Sequence, residues 1–147
     1  MDPELSREKF NEQVSLLLSR TQTISDDGWK IEAQYVYCLM HPKKHPEITF
    51  MTRLRCDDYP ARSPSLQFVD PVSKREGAEY WPKQGDPFKA ALSRAGIQLC
   101  IPGIREYHEG CHSGSNDPNP WNPERYSFAN ILERVQVLLD EAYPQVV

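Results

Sequence analysis

The nucleophilic and metal-binding potential of this 147-residue chain rests on four cysteines and four histidines. Cys100 stands in GIQLCIPGIREYH, residues 96–108, where it closes the apolar run Ile97–Leu99. Pro102-Gly103 follows at once, and a regular strand or helix does not continue through such a pair. A thiol placed where the backbone breaks suits nucleophilic chemistry, because the sulfur sits on a loop with access for an electrophile. Thiolate is the attacking form, and the oxyanion that develops on the attacked carbonyl needs donors. The plain alternative is a buried core cysteine. His108 is the first candidate for support, either as an oxyanion donor or as the residue that orders the loop; its alternative is a surface histidine. Asn122 is a further candidate donor, with a turn cap before the next helix as its alternative. Glu109 and Asp117 are candidates for deprotonating an incoming amine, or are simply solvated acids.

Metal chemistry fits less well. Cys100, His108, Cys111 and His112 read C-x7-H-x2-C-H, which contains no CxxC pair and none of the usual zinc spacings, so no metal and no other cofactor is expected. Protease signatures around the cysteine are absent too. Cys38 and Cys56 fall in strand patterns and are read as structural. The polar, acidic start is not a signal peptide, so a disulfide framework is not expected and a cytoplasmic location is. No apolar run approaches the roughly 20 residues that span a bilayer. A net charge of −4 argues against nucleic acid as a partner. With 39% hydrophobic and 26% charged residues, the composition is that of one ordinary globular domain over 1–147.

The elements that position the thiol follow from periodicity. Phe10, Val14, Leu17 and Leu18 recur at helical spacing within residues 3–20. Asp26-Asp27-Gly28 signals a turn. WKIEAQYVYCLM (29–40), ITFMTRLRC (48–56) and SLQFVD (65–70) read as the strand series of an antiparallel meander of three or four strands, with HPKKHPE and DDYPARSP as connections. In the second of these, Ile48, Phe50, Thr52 and Leu54 share one face and Met51, Arg53 and Arg55 the other. A short helix is expected within 86–96, an irregular loop over 102–126, and a helix over 127–143. Ser127 caps that last helix, and Ile131, Leu132, Val135, Leu138 and Leu139 form its buried stripe. The fold class is α+β.

In this order the parts resemble the ubiquitin-conjugating enzymes, over almost the whole chain. Tyr59, Pro60, Pro64 and Phe68 look like the family's Tyr-Pro-x-x-x-Pro turn leading into its fourth strand. Leu99-Cys100-Ile101 is similar to the apolar-Cys-apolar step at its active site. Trp121-Asn122-Pro123 looks like the Trp-x-Pro motif that opens its crossover helix. The resemblance implies an N-terminal helix, a four-stranded antiparallel meander, an active-site loop and a crossover helix. It also implies thioester transfer through Cys100, from an activating enzyme to an amine of a target protein. The implied partners are a ubiquitin-like protein, a target, and an activating enzyme docked on the first helix through Arg7, Lys9 and Arg20. The family's His-Pro-Asn tripeptide is missing before Cys100. Its absence, with a histidine and Trp-Asn-Pro after the cysteine, is similar to the membrane-anchored branch, and the compact form resembles bacterial ubiquitin-like conjugation proteins. The family also holds inactive members that only bind ubiquitin-like partners. Those lack the cysteine.

Overall fold

The computed structural model describes residues 2–18, 29–32, 34–111 and 119–144. Helix α1 spans Pro3–Leu18. Its start is capped by Asp2, whose carboxylate accepts the Glu4 N–H at 3.0 Å, a cap the sequence pattern did not reveal. Arg20 and the Asp26-Asp27-Gly28 turn lie outside the described residues.

The stretch 29–40 is not one strand but two. Strand β1, Trp29–Glu32, turns straight back into β2, Tyr35–Met40, and pairs with it antiparallel. The residues of 29–40 hide this reversal, because they contain no glycine or proline to mark where one run ends and the next begins. Strand β3, Phe50–Arg55, and β4, Ser65–Val69, complete a sheet of order β1-β2-β3-β4. Register explains the two faces. Val36, Leu54 and Leu66 stand side by side, as do Cys38, Thr52 and Phe68, and all are buried beneath the helices. On the opposite face Tyr37, Met51 and Val69 form a small cluster of their own, flanked by Tyr35 and Leu39. Met51 therefore buries its side chain although it shares a face with Arg53 and Arg55.

After β4 come a short 3-10 turn, Ala78–Tyr80, and helix α2, Asp86–Ser93, which buries Phe88 and Ala91. Helix α3, Phe128–Ala142, begins at Ser127, whose hydroxyl accepts the Asn130 N–H at 3.1 Å. Its stripe of Ile131, Leu132, Val135, Leu138 and Leu139 is buried, as the 3.6-residue period requires. Helices α1 and α3 meet directly: Phe10 packs on Phe128 with ring centroids 5.8 Å apart, and Gln13 accepts the Phe128 N–H at 3.1 Å. One apolar core runs from Phe10 to Ala142 and includes Leu99, Ile101 and Ile104 beside Cys100. The chain is thus α+β, with a helix ahead of an antiparallel sheet. No helix among the described residues is long and apolar enough to cross a membrane.

Candidate active site

The cysteine is positioned by its neighbours. Leu99 and Ile101 are buried in the core, which leaves Cys100 between them half-buried at the surface. The extended segment that leads to it is pinned from outside: Gln67 donates to the Ile97 carbonyl at 3.1 Å and Arg94 to that of Gln98 at 2.8 Å. Gly103 then takes φ = 104°, a conformation that side chains rarely adopt, and a Cβ there would come within 2.9 Å of Ile131 Cγ1. The Pro102-Gly103 turn therefore lies flat against α3.

The chain beyond this turn is more regular than the expected loop. Residues Tyr107–Cys111 form a π-helical turn. The segment is latched to the turn between β3 and β4. Arg105, only 6% exposed, donates to the Ser63 carbonyl at 3.0 Å, to the Asp57 carboxylate at 3.1 Å and to the Asp57 carbonyl at 2.9 Å. Glu106 accepts the Leu66 N–H at 3.0 Å and the Ser65 hydroxyl. Arg62 grips Glu109 with two bonds of 3.0 and 2.7 Å. Trp121 donates its indole N–H to the Pro60 carbonyl at 2.8 Å, beside the cis Tyr59-Pro60 bond.

Electrostatics reflect this latch. The bond from Arg62 holds the Glu109 carboxyl below its ordinary range, against partial burial that raises it. Burial likewise raises Asp57, but the Arg105 bond and charge, helped by Arg55, outweigh it and leave that carboxyl low. Glu109 is thus a paired carboxylate rather than a proton acceptor poised for an amine.

His108 is buried at 9% exposure among Tyr107, Trp121 and Tyr126. Its Nε2 accepts the Gly103 N–H at 2.9 Å, which requires a neutral ring with its hydrogen on Nδ1. This bond orders the turn directly after Cys100. Asn122 is exposed; its side chain accepts the Glu124 N–H at 2.9 Å and its carbonyl accepts from Arg125 and Tyr126, so it caps the turn leading into α3. A shallow groove of about 250 Å³ opens between Arg62, His108, Glu109 and Trp121. His112 and Asp117 lie outside the described residues.

The cysteines give the main departure from the sequence expectation. Cys100 and Cys111 are joined by a disulfide across 11 positions, with their Cα atoms 6.6 Å apart. The expectation from the sequence is that no disulfide framework forms. The pairing is instead created locally, because the Gly103 turn and the π-helical turn fold Cys111 back onto Cys100. Cys38 and Cys56 are free and fully buried. Burial pushes the Cys38 thiol up to about 12, and Cys56 higher still, so neither supplies thiolate near neutrality. Among the described residues no cluster of three or more His, Cys, Asp or Glu side chains is arranged to hold a metal.

The latch residues Arg62, Arg105 and Glu106 were missed in the sequence. The available signal was charge: DDYPARS and REYHE carry complementary acids and bases, but nothing in either stretch says that the two loops meet. On the first helix, Arg7 is exposed, while Lys9 pairs with Glu12 at 3.5 Å. Arg7 also lines a surface cavity of about 720 Å³ with Phe10, Tyr35 and Arg55. No protein-family model matches the chain, and no curated protein matches it either.

Proposed function

We propose that the protein is a carrier of the ubiquitin-conjugating type, with a UBC-like fold, which holds a ubiquitin-like protein as a thioester on Cys100. The observation that carries this reading is the setting of that sulfur: an apolar step buried on both sides, followed by a turn and a loop latched to the β3–β4 connection. Such a scaffold fixes the nucleophile, and opening of the bond to Cys111 would free its sulfur for an acyl group. In the first step the Cys100 thiolate attacks the thioester carbonyl presented by an activating enzyme, and that enzyme's thiolate leaves. In the second, a target amine attacks the new thioester, the Cys100 thiolate leaves, and an amide forms. His108 is a positioning residue in this scheme, since its Nε2 holds the Gly103 N–H. Asn122 shapes the entry to α3, and the exposed side of α1 around Arg7 and Lys9 is the docking surface for the activating enzyme.

The disulfide favours a second reading. It occupies the Cys100 sulfur, which a UBC-like module that binds a ubiquitin-like protein without carrying it does not need free. The decisive experiment combines dithiothreitol-reduced, desalted protein with ATP, a ubiquitin-like protein and its activating enzyme from the same host. A thiol-sensitive adduct on a non-reducing gel, lost in Cys100→Ala, supports the carrier. Binding of the ubiquitin-like protein without any adduct supports the module.

A further inference from the structure

We propose that Cys100 and Cys111 form a reversible redox couple, in which Cys111 withholds the Cys100 sulfur from electrophiles until a dithiol opens the bond. As regulation of a thioester carrier, this rests on the carrier reading of Cys100; as redox chemistry, it stands on the unequal exposure of the two cysteine residues and on the latch that holds the loop between them.

Cys111 is exposed at the end of the π-helical turn, whereas Cys100 is half-buried between two core residues. A reductant therefore meets Cys111 first. Its thiolate attacks the Cys111 sulfur, the S–S bond breaks, and Cys100 leaves as thiolate. The second thiol of the reductant then displaces Cys111 and is itself oxidised to a disulfide. Attack from the accessible side thus delivers the nucleophile in its reactive form. The reverse step needs an oxidant, and a hydroperoxide suffices. A Cys111 thiolate attacks the peroxide oxygen, the O–O bond breaks, and a sulfenic acid and water (or an alcohol) result. Cys100 thiolate then attacks that sulfur, hydroxide leaves with a proton as a second water, and the disulfide closes.

The surroundings make this couple separable from folding. The segment between the two cysteines is held without the S–S bond, by Arg105 on Ser63 and Asp57, Glu106 on Leu66, Glu109 on Arg62 and His108 on Gly103. Opening the disulfide leaves every one of these contacts in place. The other two thiols are sealed in the core, so no competing pair forms in the folded protein, and they act as internal reporters of unfolding.

The test uses the whole chain with hydrogen peroxide, dithiothreitol and iodoacetamide, read by peptide mass spectrometry. Peroxide-treated protein should contain the 100–111 disulfide and take up no iodoacetamide at either position. After dithiothreitol, Cys100 and Cys111 should label at least about tenfold faster than Cys38 and Cys56. The Cys111→Ser protein should label at Cys100 with no dithiol added. Resistance of the bond to dithiothreitol in the folded protein would overturn the proposal. So would labelling of Cys38 and Cys56 upon reduction, which would make the bond a structural staple. A Cys111→Ser protein that still fails to label at Cys100 would overturn it as well. Charging assays on the same samples separate the two readings. Switchable labelling without charging in either form supports the couple and removes the carrier; charging that persists in the oxidised form overturns the gate.

Discussion

At the residue scale, the place of Cys100 between two buried apolar residues and just ahead of a turn was legible, because an apolar step followed by Pro-Gly has few structural uses. Its covalent partner was not, since the pairing depends on a π-helical turn that no periodicity announces. Cys100→Ala should abolish any thioester adduct, and Cys100→Lys should trap a thiol-resistant amide, both read on reducing and non-reducing gels. Cys38→Ala and Cys56→Ala should retain charging, because those sulfurs are buried in their protonated form. His108 presents a sharper case. Replacing it by Ala leaves the buried Gly103 N–H without an acceptor and opens space among three aromatic rings. A loss of about 1–3 kcal/mol in urea unfolding is expected. His108→Gln, which can still offer an acceptor, should recover part of it. In the charging assay, His108→Ala should slow discharge to an amine more than it slows loading, since loading exchanges one thiolate for another while aminolysis must also remove a proton from the attacking amine.

At the scale of elements, β3, β4, α2 and α3 were readable from alternation, propensity and helical period, and the Ser127 cap from its residue type. The β1–β2 reversal was not, because a tight turn without glycine or proline leaves no mark. The latch between the 57–66 and 105–109 segments was likewise hidden, as it is made by long-range pairs of ordinary charged residues. Arg105→Met should destabilise the fold by about 2 kcal/mol or more, because the Asp57 and Ser63 carbonyls lose their donor. Acid should weaken the same region, and the sign follows from the carboxyls. Asp57 and Glu109 are held below their ordinary values of 3.8 and 4.5 in the folded state. The unfolded chain therefore binds more protons in that range. Their contribution is complete above about pH 5 and disappears as pH falls through the lowered folded-state values. Thermal unfolding followed by circular dichroism should show a midpoint that declines below that pH, and Glu109→Gln should flatten part of the decline.

At the scale of the whole molecule, one continuous core links helices and sheet, so urea unfolding should be a single transition with coincident fluorescence and circular dichroism. Gly103→Ala should shift that transition down by about 1–3 kcal/mol, since it combines a positive φ with contact on Ile131. The α+β class could be read from the order of patterns, whereas which helix touches which could not, because the sequence carries no sign that Gln13 caps α3. That contact spans 115 positions. It has a consequence in time. At a synthesis rate of roughly 5–20 residues per second, Gln13 is made about 6 to 23 seconds before Phe128, whose N–H it accepts. Throughout that interval the Phe10 and Leu17 stripe has no partner helix to cover it.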